Sequence, residues 1–119
     1  MSDQDVFNLT EALTRVDEDE DLFQTLVELF LEQAPLDMAA TQAALDAGDA
    51  EALARAAHRM KGAILQFSAP ALFEATKQLE ALGKAGSVND AKPVCARVTQ
   101  ELQKLMTALS EYVAHRPAA

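Results

Sequence analysis

Apolar residues recur three and four positions apart along nearly the whole chain, and nowhere do β-branched residues alternate with polar ones over a strand's length. That pattern leaves helices as the only regular element. Alanine, leucine, glutamate and glutamine, all good helix formers, dominate, while glycine and proline number four each. At 119 residues, half of them hydrophobic, the chain is long enough to bury a core of its own as a single domain over residues 1–119.

The punctuation between apolar runs divides the chain into helices. A short one is expected from Val6 to Arg15, with Val6, Leu9 and Leu13 on one stripe. The acidic run Asp17 to Asp21 favours a helix N-terminus and so begins the second, which carries Leu22, Phe23, Leu26, Phe30 and Gln33 along one stripe, with Val27, Leu29 and Leu31 around it. Pro35 lacks an N–H, so this helix is expected to kink or stop at Ala34 and a third to continue from Leu36 to Ala47. Gly48 is a C-terminal stop, and Asp49 an N-cap for a fourth helix from Ala50 to about Phe67. Ser68 is expected to cap a fifth, with Pro70 in its first turn, that ends at Leu82 before a loop over residues 83–87. Asp90 is expected to cap the last, with Pro93 in its first turn and Val94, Val98, Leu102, Leu105 and Leu109 on its stripe. Residues 115–119 read as a loose tail. Amphipathic helices with short connections give an all-α, antiparallel four-helix bundle with a short additional N-terminal helix.

Charge narrows function. The formal net charge is -9, which excludes the usual basic mode of nucleic-acid binding. The acids are concentrated: residues 1–50 hold 13 acids and one base, whereas residues 51–84 hold three acids and five bases. A locally positive segment within an acidic chain marks a surface for an anion or an acidic partner. The one cysteine, Cys95, is expected to be packed or a surface thiol, and with no partner it suggests a reducing compartment, the cytoplasm. No stretch has the apolar length of a membrane span or the pattern of a signal peptide. Only two histidines are present and paired Glu-x-x-His motifs are absent, so no metal site is expected.

On a helical wheel of the fourth helix, Leu53, Ala56, Ala57, Met60, Ile64 and Phe67 fall within about 60 degrees of one another as the buried stripe. His58, Gly62, Leu65 and Arg55 lie on the far side, with Lys61 between the two. Gly62 in mid-helix costs about 1 kcal/mol relative to alanine, which calls for close approach by another backbone or another protein. Leu65 is an apolar group turned away from the core. Two readings stand at this point: a surface histidine beside an incidental glycine, or a partly apolar platform around one nucleophilic nitrogen.

The stretch Ala57-His58-Arg59-Met60-Lys61-Gly62, followed by Phe67-Ser68-Ala69, Leu72 and Leu79-Glu80, resembles the histidine-containing phosphotransfer (HPt) domain of two-component phosphorelays. The motif core spans residues 50–84. A serine stands at 68 where the family commonly has a second glycine, which predicts an altered helix junction. The resemblance implies a phosphoryl carrier rather than an enzyme. His58 would accept a phosphoryl group from a receiver-domain aspartyl phosphate and pass it to another receiver aspartate. Lys61 would stabilise the phosphoryl oxygens, Glu80 would orient the imidazole through Nδ1–H, and Arg55, Arg59, Gly62 and Leu65 would contact the partner. The alternative for Glu80 is an exposed carboxylate near Lys77 or Lys84. The implied partners are response-regulator receiver domains or a hybrid sensor histidine kinase, met by a monomer that needs no cofactor, with Mg2+ expected on the receiver. Its competitor is a helical interaction module that carries no phosphoryl group. Part of the wide apolar arc around Val27, Phe30 and Leu31 is expected to join the docking patch.

Overall fold

The computed structural model describes residues 6–116. Met1 and the last three residues of the expected tail lie outside them. Five helices follow in order: α1 (Leu9–Thr14), α2 (Glu20–Asp46), α3 (Ala50–Leu65), α4 (Pro70–Lys84) and α5 (Val88–Ala114). Helix α2 packs on α3 and α5, and α4 packs on the same two, which closes a ring of four. The connections at residues 47–49, 66–69 and 85–87 are too short for anything but antiparallel neighbours. The result is an elongated bundle of 48 × 23 × 22 Å with α1 laid over the α3–α4 junction.

Local chemistry explains the boundaries. The side chains of Asp19 and Asp49 accept from Leu22 N and Ala52 N, each at 3.0 Å, and so cap α2 and α3. Gly48, at φ +68°, ends α2 in the left-handed conformation that glycine adopts freely. The core is apolar on the predicted stripes: Leu53, Met60 and Ile64 of α3, with Phe67 just beyond it, are at most 2% exposed and meet Phe23, Leu72, Leu79, Val98, Leu105 and Leu109. The Phe67 ring lies 4.9 Å from that of Phe30 and 5.9 Å from that of Phe23.

Several boundaries differ from expectation. Pro35 neither stops nor divides α2, which runs unbroken for 27 residues. The proline faces solvent, while Phe30 and Ala34 before it and Asp37, Thr41 and Leu45 after it stay in register on one buried face. That burial outweighs the roughly 3 kcal/mol a mid-helix proline costs. Helix α3 ends at Leu65, so Phe67 joins the core from the connecting segment. Gly83 and Lys84 belong to α4 rather than to a loop. Helix α5 begins at Val88, which places Pro93 in its interior and leaves Asp90 in the first turn, not at the cap. The helix expected from Val6 to Arg15 is interrupted: Val6 is helical, Phe7 and Asn8 are not, and α1 starts behind Asn8, whose side chain accepts from Glu11 N at 3.0 Å. Nor is the end of the chain loose at 115–116. The Arg116 guanidinium donates to Asp21, Gln24 and the Glu20 carbonyl and ties α5 to the start of α2.

Ser68 does not cap α4; Ala69 occupies that position without a side-chain hydrogen bond. Ser68 instead has φ +53°. Its hydroxyl donates to Glu11 Oε1 at 3.0 Å and accepts from Arg15, while its carbonyl accepts from Asn8 N at 2.9 Å. A serine thus takes a backbone conformation suited to glycine, held there by three contacts to α1 and the segment before it.

Candidate functional site

The site is built beside a close approach of α3 and α4. Gly83 permits the approach: a Cβ there would lie 2.8 Å from the Ala54 backbone nitrogen. One turn along each helix from this contact, His58 of α3 faces Glu80 of α4. His58 Nδ1 lies 2.7 Å from Glu80 Oε2, with the histidine side chain 70% exposed and that of Glu80 4% exposed. Glu80 Oε1 lies 2.5 Å from Lys61 Nζ, and Lys84 Nζ sits 3.3 Å from Oε2. Glu80 is therefore a buried carboxylate with a donor on every open side, not the exposed surface carboxylate of the alternative reading.

The electrostatics fix its state. The Lys61 ammonium bonded to Glu80 holds its carboxyl down at about 2 against an ordinary value of 4.5. Burial opposes this, and the hydrogen bonds from His58 and Lys84 assist it. An ionised carboxylate can only accept hydrogen bonds, so the shared hydrogen belongs to Nδ1 of His58. The Nε2 lone pair is then left on an exposed ring whose orientation is set from a second helix.

The remaining predicted residues divide. Gly62 is exposed and nothing lies within 4 Å of where its Cβ would be, so among the described residues no backbone accounts for the glycine. Leu65 is 54% exposed. Arg55 is held loosely by Glu51 at 4.0 Å. Arg59 points to α2 rather than to the histidine, lying 3.5 Å from the buried carboxylate of Asp37. Val27 and Phe30 are core residues and Leu31 is half-buried, so the exposed apolar groups on α2 are Leu22, Leu29 and Leu36 instead. Gly83 was missed because it was assigned to a loop, and Lys84, assigned to the same loop, was placed near Glu80 only in the exposed-carboxylate reading. The i, i+4 spacing of Glu80 and Lys84 is a signal that a longer helix would have made readable.

The other titratable groups stand apart. Cys95 is packed in the core, where burial and, next, the charge of Asp46 push its thiol up. His115 bonds the Glu111 carbonyl at 2.8 Å at the far end of α5. Among the described residues no three His, Cys, Asp or Glu side chains are grouped to hold a metal ion, and no helix is long and apolar enough to cross a membrane.

Comparison with known proteins converges on one family. A family model described as the Hpt domain matches residues 25–112. No curated protein matches the chain. Among solved structures, the 1.80 Å crystal structure of the HPT domain from the Hpt sensor hybrid histidine kinase of Shewanella superposes with a TM-score of 0.84 at 21% identity. The match covers 95% of this chain and 97% of that one. At that identity the likeness establishes the fold.

Proposed function

The chain belongs to the Hpt domain family, and from that membership we propose that His58 is the phosphoacceptor through which it serves a phosphorelay as a carrier. The observation that carries this reading is the 2.7 Å contact between His58 Nδ1 and an ionised, buried Glu80, which leaves Nε2 as the nucleophile. The Nε2 lone pair attacks the phosphorus of a receiver's aspartyl phosphate, and the bond from phosphorus to the aspartyl oxygen breaks as the carboxylate departs. Onward transfer reverses the roles: a second receiver's carboxylate attacks, and the imidazole leaves with its Nε2 lone pair restored.

Phosphoryl transfer of this kind depends on in-line positioning and charge stabilisation more than on covalent chemistry from the protein. Glu80 fixes the ring, and Lys61, one turn from His58, supplies a cation beside it. Gly62 lets receiver loops approach, and Arg55 and Leu65 border the contact. Mg2+ is assigned to the receiver. The partners are receiver domains or a hybrid kinase, and the carrier works in the cytoplasm as a monomer without autokinase activity.

The test is incubation with a phosphorylated receiver domain carrying labelled phosphate. Wild type and a His115→Gln variant take up label; His58→Gln does not, and equal labelling of His58→Gln would end the proposal in favour of a simple interaction module. Lys61→Ala is expected to slow transfer at least about tenfold and, because it strips the buried Glu80 carboxylate of its nearest cation, to lower the midpoint of thermal unfolding as well.

A further inference from the structure

Attack by Nε2 changes what Nδ1 can do. A neutral ring with its hydrogen on Nδ1 spends the Nε2 lone pair on the N–P bond, so the phosphorylated ring is at first an imidazolium that still carries Nδ1–H. A ring titrating in the ordinary imidazole range, at about 6.5, would lose that hydrogen above neutrality and keep a bare lone pair on Nδ1.

Glu80 resists that loss. Its Oε2 lies 2.7 Å from Nδ1 on a side chain only 4% exposed, and the carboxyl is ionised. An ionised carboxylate can only accept, so a bare Nδ1 would set lone pair against lone pair with little water between them. The charged groups around the ring are few. Helix α4 supplies Glu80 and Lys84, both at Oε2, whereas Lys77 lies on the α4–α5 side with Arg97. On α3 itself Lys61 binds Oε1, Arg55 reaches back toward Glu51, and Arg59 turns to Asp37, the acid that α2 contributes. Lys61 and Lys84 oppose a cationic ring, but the same carboxylate holds both. A phosphoryl group on Nε2 draws Lys61 toward itself, and the buried carboxylate then depends more on Nδ1–H. Glutamine could not replace it in this respect: an amide accepts from Nδ1–H and, turned over, donates to a bare Nδ1.

The charge on the ring decides how readily the phosphoryl group departs. From an imidazolium the N–P electron pair returns to Nε2 and leaves neutral imidazole, with no proton to be supplied. From a neutral ring the same step leaves an imidazolide anion, a far poorer leaving group. When water is the acceptor, its oxygen bonds phosphorus as the N–P bond breaks, and both of its hydrogens stay with the phosphate released.

We propose that Glu80 limits the lifetime of the phosphoryl group on His58: it retains the Nδ1 hydrogen after Nε2 is phosphorylated and so keeps the ring a cation, ready to surrender the group to a receiver carboxylate or to water. Glu80 is thus a positioning residue for a proton as well as for the ring, and this rests on His58 being the phosphoacceptor. The test uses the His115→Gln chain, which has a single imidazole, phosphorylated with phosphoramidate. Ring-nitrogen NMR shifts report the Nδ1 hydrogen as pH is raised, and decay of the phosphorus signal gives the lifetime. The phosphorylated ring should keep its hydrogen to a pH at least about one unit higher than in the same chain with Glu80→Gln, and at about pH 8.5 should lose the phosphoryl group about tenfold sooner. Lys84→Met removes an exposed competitor for Oε2 and should move the ring titration further upward, a test independent of how well Glu80→Gln folds. Coincident titrations in the three chains, or equal lifetimes with and without Glu80, overturn this proposal alone. Failure of phosphorylated receivers to label His58 overturns the phosphoacceptor reading and this one with it.

Discussion

Glu80 is the residue on which the chemistry of the exposed imidazole turns, and its ionisation makes a measurable claim. Its folded-state value near 2 is below the ordinary 4.5, so the folded chain binds that proton less readily than the unfolded one. The stability it contributes is fully present above about pH 5 and is lost as the pH falls through 4.5 toward 2. Unfolding by urea at pH 6 and at pH 3 should therefore show a larger loss for wild type than for Glu80→Gln; equal losses would mean that Lys61 and Glu80 are not coupled in solution. The sequence made His58, Lys61 and Gly62 legible because they lie within one turn or so of each other on one helix. It left Glu80 open, since a carboxylate beside lysines on an amphipathic helix looks the same whether it faces solvent or a neighbouring helix. Burial is decided by the angle at which α4 meets α3, and no local pattern encodes that angle.

At the scale of helices, two glycines absent from any turn do opposite work. Gly83 has no room for a side chain against Ala54, so Gly83→Ala must push α4 away from α3. The expected cost is about 1–3 kcal/mol in thermal or chemical unfolding, together with a longer His58–Glu80 contact and slower transfer. Gly62 has open space, so Gly62→Ala should stabilise α3 by up to about 1 kcal/mol while hindering receiver approach. Destabilisation by Gly62→Ala would show that the glycine serves the bundle itself. Helix identity and the buried stripes of α3 and α5 were readable from apolar spacing, whereas the stripe expected on α2 is rotated, with Leu22 and Gln33 exposed and Val27 and Ala34 buried; Asp19, Asp49 and Gly48 behave as local chemistry dictates. Prolines misled. Pro35 and Pro93 sit on solvent faces of helices whose opposite faces are buried over seven turns, and long-range burial overrules a local break. Ser68 misled for a related reason: it is a good cap in isolation, but contacts from Asn8, Glu11 and Arg15, more than fifty residues earlier, hold it in a left-handed turn.

For the whole molecule, the antiparallel ring of four helices and the overlying α1 follow from element lengths and short connections, which is why the architecture was legible when individual boundaries were not. The division of charge was legible too: α2 holds six acids and no base, while the segment that carries His58 holds most of the bases nearby. The histidine stands on the flank of a rod, 70% exposed. A donor and an acceptor that both need this one ring must take turns. Two-receiver kinetics should accordingly be ping-pong, giving parallel lines in double-reciprocal plots, with an unphosphorylated acceptor in excess inhibiting by occupying the donor's place. Intersecting lines would require both receivers on the rod at once. Traffic through such a carrier is then governed by which partner is more abundant and leaves sooner, so the direction of signal flow becomes a property of the cell's inventory rather than of the rod itself.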